Sequence, residues 1–307
     1  MDYFIVAENV TRTYEDKIAL DNFNIKIPKG SIYGILGPNG AGKTTFIRII
    51  NQITKPDSGT IYFNGEPLQP KHISHIGYMP EERGLYKNMK IGEQAIYLAQ
   101  LKGMNKTEAK SRLEYWFDKL KIEKWWNKKL SELSKGMAQK IQFVVTVLHN
   151  PELLIFDEPF SGFDPVNANL IRDEILELKE KGTTILFSSH RMESVEELCD
   201  YVALIHNSKK ILDGSVKDIR HKFKQGKFNI RITDIQSHDI EHLLSNHSIE
   251  NLIKMDNEYS FSIKLTDRES SKSLLSELSS KGTILSFYEE IPGMNEVFIN
   301  AVNSKNL

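Results

Sequence analysis

Gly37, Pro38, Asn39, Gly40, Ala41, Gly42, Lys43, Thr44 and Thr45 follow one another in the chain and contain the spacing G-x-x-x-x-G-K-T. Such a string suits phosphate. Its glycines let the backbone curl until several N–H groups converge on phosphate oxygens, and a helix starting at its end adds a partial positive charge. The spacing predicts that Lys43 reaches the β- and γ-phosphates of a nucleoside triphosphate. It also predicts that the Thr44 hydroxyl meets Mg²⁺, a hard cation that takes oxygen ligands. Both flanks agree, with the apolar run 32–36 before the loop and an isoleucine-rich helix from about Lys43 after it. A plain glycine-rich turn ahead of a helix would not need the full pattern.

Further along, Leu153, Leu154, Ile155 and Phe156 form an apolar run that ends in Asp157-Glu158-Pro159. A buried parallel strand emits functional groups at its carboxyl end, so Asp157 is expected to hold Mg²⁺, directly or through water, and Glu158 to polarise an attacking water. Taken alone, the tripeptide would simply end a strand and cap the next helix; the phosphate loop upstream overturns that reading. Leu186-Phe187-Ser188-Ser189-His190 repeats the design, and His190 is expected to hydrogen-bond the γ-phosphate. A lone histidine at a strand end is usually structural, but this one stands on the next strand after the acids. Lys43, Glu158 and His190 are therefore the predicted catalytic set, with Thr44 and Asp157 on the metal.

These groups need a scaffold. Residues 4–36 read as short strands, Asn64-Gly65 favours a tight hairpin, and 76–79 is a further strand closed by Pro80. Helical spacing over 93–101 and 108–120 marks a helical insertion of about 88–148. Strand 153–156, helix 166–181, strand 184–187, helix 192–198 and strand 202–205 then imply right-handed parallel crossovers and an α/β core. After Gly214-Ser215 and a basic helical stretch the order is strand 227–233, helix 238–245, strands 249–255 and 259–265, helix 269–280 and strand 283–289. That is the βαββαβ order of the split ferredoxin-like unit. The expected organisation is a nucleotide domain over 1–214 and a small α+β domain over 223–307 that ends in a helix from about Met294.

Composition bounds the rest. The 307 residues, 40 % of them apolar, suffice for one large and one small core. Forty basic and 41 acidic residues leave a net charge of -1, so no nucleic-acid partner is expected. The single cysteine, Cys199, builds neither a disulfide framework nor a multi-cysteine metal site, which fits a reducing compartment. The opening MDYFIVAENV lacks a secretory pattern, and the richest apolar run, 141–148, is interrupted by Gln142 and Thr146. Any membrane role is expected to come from a partner. The basic residues Lys217, Arg220, Lys222, Lys224 and Lys227 read as a solvated helix and turn rather than a lipid or nucleic-acid patch.

Leu133-Ser134-Lys135-Gly136-Met137, one helix ahead of the acid strand, completes a set that resembles the ATP-binding cassette (ABC) family over residues 3–214. The resemblance implies a P-loop ATPase domain that uses ATP and Mg²⁺. It implies that Tyr14 stacks on adenine, that His190 contacts the γ-phosphate, and that Ser161-Gly162-Phe163-Asp164 meets a partner subunit. Ser134 and Gly136 of one subunit would face the γ-phosphate bound to the other, where a hydroxyl and a helix N-terminus suit an anion. By themselves Ser134 reads as a helix cap and Tyr14 as a strand-end tyrosine. The implied partners are a second copy or a related cassette and an integral membrane permease, at the cytoplasmic face of the cell membrane.

Two departures stand out. The usual L-S-G-G-Q reads L-S-K-G-M, and Glu81 of Tyr78-Met79-Pro80-Glu81-Glu82-Arg83 takes the place of a glutamine. A carboxylate there is repelled by γ-phosphate unless Mg²⁺, a proton or Arg83 compensates, or else it points into solvent. P-E-E-R-G-L-Y, S-K-G-M and an extra carboxyl-terminal domain together resemble the sodium-efflux and multidrug type of ABC-2 exporters, without identifying a cargo. A soluble cassette ATPase acting on ribosomes or DNA would commonly carry a second phosphate loop or a long heptad array, and neither is present. A non-hydrolytic scaffold is opposed by Glu158 and His190.

Overall fold

In the computed structural model, which describes residues 2–82, 84–189, 191–265 and 270–303, alternating apolar residues draw Tyr3–Tyr14 (β1) and Lys17–Pro28 (β2) into an antiparallel pair. Phe23, Ile25 and Ile27 all point into the core, as a two-residue period requires. Both strands are 12 residues long, not the several short strands expected. Asn9 and Asn22 adopt left-handed backbone at shifts of register, and these irregularities break the alternation that marks a continuous strand.

β3 (Ile32–Leu36) runs into the glycine loop and α1 (Lys43–Ile50). β4 (Ser58–Phe63) and β5 (Glu66–Pro67) form the expected hairpin, with φ of 47° at Asn64 and 86° at Gly65. Positive φ at both turn residues matches the twist of the flanking strands. β1, β2, β4 and β5 make one antiparallel sheet in the order β2-β1-β4-β5.

After β6 (Ile76–Met79) come α2 (Ile91–Leu101), α3 (Lys106–Lys119) and α4 (Lys135–Val147). An aromatic column ties this helical region to the core. Trp116 of α3 meets Phe143 of α4 edge-on at 5.8 Å, and Phe143 stacks at 5.9 Å on Phe156. Phe156 belongs to β7 (Leu153–Asp157), which is followed by α5 (Pro165–Glu180), β8 (Thr184–Ser189), α6 (Met192–Leu198), β9 (Tyr201–His206) and β10 (Lys209–Ser215).

The second sheet has the order β10-β9-β3-β8-β7-β6, parallel except for β10. Every residue of β3, β7 and β8 is buried, which is why they read as continuous apolar runs. Register then does the positioning. Leu36 pairs with Ser189 and Asp157 with Ser188, so the loop after β3 and the acids after β7 emerge side by side at the carboxyl ends of the strands.

α7 (Val216–Lys222) precedes β11 (Lys227–Thr233), α8 (Ser237–Asn246), β12 (Ser248–Met255), β13 (Glu258–Lys264), α9 (Ser271–Lys281), β14 (Thr283–Glu289) and α10 (Met294–Asn303). The four strands form an antiparallel sheet in the order β12-β13-β11-β14, the strand order of the ferredoxin-like unit. Its core gathers Ile230, Ile232 and Phe261 of the sheet with Leu243 and Leu278 of the helices. The chain divides into two compact units, Met1–Val216 with Phe298–Leu307, and Lys217–Val297. Among the described residues no helix is long and apolar enough to cross a membrane.

Candidate active site

The glycine loop is backed closely by neighbouring strands. A Cβ on Gly37 would lie 2.2 Å from the Ile205 carbonyl oxygen, and one on Gly42 2.3 Å from that of Ala19. With φ of 149° and 119°, both positions require glycine. Gly42 then caps α1, whose first residue is Lys43. Lys43 is buried, and its Nζ donates to the carbonyl oxygens of Gly37 at 2.8 Å and Pro38 at 3.2 Å. Burial lowers its pKa, against the opposing pull of Glu158, Asp157 and Glu81.

Asp157 ends β7 with 4 % exposure, and its carboxylate accepts a hydrogen bond from the Ser188 hydroxyl. Burial raises its pKa, the Ser188 bond opposes this, and Glu81, Glu158 and Lys43 act more weakly. Glu158 has a φ of 52°, a left-handed conformation that a non-glycine residue keeps only when its surroundings impose it, at about 1–3 kcal/mol. Its N–H donates to the Ser188 carbonyl oxygen at 3.1 Å, its own carbonyl accepts from Ser161 N–H at 3.1 Å, and its Oε2 accepts from the Ser189 hydroxyl at 3.3 Å.

These groups meet in one cleft of about 330 Å³. Asn39, Gly40, Gly42, Lys43, Thr44 and Thr45 supply its floor, and Glu81, Asp157 and Glu158 one wall. Glu81 lines the cleft while staying exposed, and its charge contributes to raising the pKa of Tyr78, which burial chiefly pushes up to about 12. Tyr14 stands at the other side with the Arg12 guanidinium 4.7 Å from its ring centroid, and Asp57 holds that guanidinium at 2.5 Å. Lys17 and Ala19 also line the cleft, and sequence reasoning missed them. Lys17 belongs to no motif; only its pairing opposite Tyr14 in the β1–β2 register places it there.

Other predicted residues sit elsewhere. Gly37 lies at the back of the loop, and Pro38 and Ala41 line an adjoining depression. Ser134 caps α4, its hydroxyl accepting from Met137 N–H at 3.3 Å, and Asp164 caps α5 by accepting from Asn167 N–H at 3.0 Å. Neither they nor Gly136 line the cleft. The two caps nevertheless belong to loops in contact, because a Cβ on Gly162 would fall 2.4 Å from Lys135 Cε. His190 and Arg83 lie outside the described residues.

Among the described residues no group of three or more histidine, cysteine, aspartate or glutamate side chains forms a cage for a metal. Thr44 and Asp157 do offer oxygen donors to the same cleft. Two such donors suit a magnesium ion that takes its remaining ligands from phosphate and water. The chemistry of the donor set thus fits that ion arriving with a nucleotide.

Residues 20–161 match the family described as ABC transporter, and residues 214–302 match the one described as ATP-binding protein DrrA1-3-like, C-terminal domain. The chain is 42 % identical over 301 residues to the uncharacterized ABC transporter ATP-binding protein YhaQ of Bacillus subtilis, covering 98 % of this chain and 99 % of that one. It is 32 % identical over 216 residues to the Nod factor export ATP-binding protein I of Burkholderia thailandensis, covering 69 % and 71 %. Among solved structures, the ATP binding subunit of an ABC transporter superposes with a TM-score of 0.67 at 30 % identity, over 72 % of this chain and 93 % of that one.

Proposed function

The chain belongs to the ATP-binding subunits of ABC transporters, ATPases coupled to transport, and from that premise we propose that its cleft closes on Mg-ATP between two copies to drive an exporter. The observation that carries this reading is the convergence of Tyr14, Lys43, Thr44, Glu81, Asp157 and Glu158 on one cleft from four separate stretches of chain.

In this reading adenine stacks on Tyr14, whose ring the Arg12–Asp57 pair steadies. Loop N–H groups take the phosphates, and Lys43 exchanges its two carbonyl partners for β- and γ-phosphate oxygens. Thr44 and Asp157 would hold Mg²⁺, and the charge it supplies would offset the repulsion between the phosphates and Asp157, Glu158 and Glu81. The Ser188 hydroxyl fixes the orientation of the Asp157 carboxylate. Glu158, aimed by its left-handed backbone and its Ser189 bond, orients the attacking water and accepts its proton, with His190 on the γ-phosphate.

Ser134 and Gly136 sit at the start of α4, away from the cleft of their own chain, so they are assigned to the nucleotide of a second subunit, either an identical copy or a related cassette. Loss of the γ-phosphate removes the link between subunits and lets the pair open. The membrane partner is an integral permease, met at the cytoplasmic face. Buried Gln94 grips the Tyr86 backbone, accepting from its N–H at 2.8 Å and donating to its carbonyl at 3.0 Å, while the Tyr86 ring is 57 % exposed. A pinned backbone carrying an exposed ring is suited to contact that permease. The direction, export, rests on the P-E-E-R-G-L-Y and S-K-G-M strings and on the likeness to a relative named for export.

Basal ATP turnover of the purified chain tests the chemical assignment. Glu158→Gln is expected to lower kcat by a factor of about 10²–10⁴, the range for loss of a general base. Unchanged turnover would reject the role given to Glu158.

A further inference from the structure

Two fully buried glutamines lie three residues apart on α4, which places them on one face of the helix. Neither belongs to the motifs singled out in the sequence, and neither lines the cleft. Gln142, 4 % exposed, donates from Nε2 to the Pro80 carbonyl oxygen at 2.9 Å, one residue before Glu81. Gln139, 2 % exposed, donates from Nε2 to the Pro159 carbonyl oxygen at 3.3 Å, one residue after Glu158. The helix carrying both is the one that Ser134 caps.

Burial of an amide is costly unless every polar atom is satisfied, and Gln142 Oε1 finds no hydrogen-bond partner among the described residues. Leucine or methionine would fill the same space without that cost. A packing role therefore does not account for glutamine at position 142. A need for a donor aimed at the Pro80 carbonyl does.

We propose that Gln142 and Gln139 are positioning residues, a two-pronged brace that makes α4 hold the backbone beside Glu81 and the backbone beside Glu158. A displacement of the Ser134 end of α4 then reaches both carboxylate loops of the same subunit through two defined hydrogen bonds. The inference rests on the ATPase reading above, but its first test does not.

Hydrogen–deuterium exchange of the full-length chain without nucleotide reads the brace directly. Gln142→Met is expected to speed exchange of the amides of Glu81 and Glu82 about tenfold or more while leaving those of β3 and α1 unchanged. Equal exchange in the two proteins would overturn the proposal. The second test is steady-state ATP turnover. Gln142→Met is expected to lower kcat about fivefold with KM within about twofold, and to have no further effect in a Glu81→Ala background, because Gln142 then has no carboxylate to place. Gln139→Met should still lower kcat in that background, since it acts through Glu158. The same fractional loss from Gln142→Met in both backgrounds would assign it a general structural role and overturn the proposal. Should Gln142→Met fail to fold, Gln142→Asn, too short to reach Pro80, carries both tests. A wild-type chain without turnover would count against the ATPase reading and leave the exchange result to decide the brace.

Discussion

Ser188 and Asp157 stand opposite one another on adjacent parallel strands, and the serine hydroxyl donates to the aspartate carboxylate in a buried setting. Here two opposing effects meet on one group. Burial raises the Asp157 pKa, and the Ser188 bond, which favours the ionised form, works against that rise.

Asp157→Asn should therefore stabilise the nucleotide-free chain while abolishing turnover. A carboxyl whose pKa is raised on folding is favoured in the native state when protonated, and its ionisation costs stability as the pH climbs through the folded value. The variant should melt above the wild type at pH 8, with the gap shrinking as the pH falls toward the ordinary aspartate range. Ser188→Ala should move the acid limb of the kcat profile to higher pH, since the donor that favours the ionised form is gone. An unmoved limb would show that Asp157 ionisation does not limit turnover.

Tyr14→Ala should weaken ATP through KM and spare kcat. Base–aromatic stacking is worth about 1–3 kcal/mol, so KM is expected to rise about 5- to 150-fold. Tyr14→Phe, which keeps a ring, should stay within about threefold of wild type. A similar loss with GTP and ATP fits stacking, because either purine offers a face. A fall in kcat at unchanged KM would place Tyr14 outside the binding surface.

Gly162 has a φ of 87° and lies under the Lys135 side chain. Gly162→Ala should cost about 1–2 kcal/mol in backbone strain, or a fall in Tm of roughly 2–8 °C. Part of the loss arises where the new methyl meets Lys135, so a Lys135→Ala change in the same chain should recover some of it. Additive losses would show that the two loops do not press on one another.

The site was most readable where chemistry is written contiguously. The loop from Gly37 to Thr45 and the pair Asp157-Glu158 follow buried strands whose apolar runs announce them, and the parallel register brings their ends together. Lys17 was invisible because it reaches the cleft through a hairpin register, which no local pattern encodes. β10 escaped because it is a partly exposed edge strand with a register shift between Lys210 and Leu212, so its residues do not alternate cleanly. The left-handed bulges at Asn9 and Asn22 hid the length of β1 and β2 in the same way. Gln142 reads in sequence as a polar interruption of an apolar run and Gln139 belongs to no motif, and only tertiary contact reveals the carbonyls they serve. The carboxyl-terminal unit was legible because its strands and helices follow one another with clear breaks between them, and the sheet and helices gather their apolar residues in one core.

In the function proposed above, the cleft of one chain is completed by the Ser134 loop of another. Light scattering of Glu158→Gln at micromolar concentration, with and without Mg-ATP, measures it most directly. A monomer is expected without nucleotide, a mass twice as large with it, and no such doubling when Ser134→Arg is added. A protein that stays monomeric with saturating Mg-ATP, alone and with its permease, would contradict it.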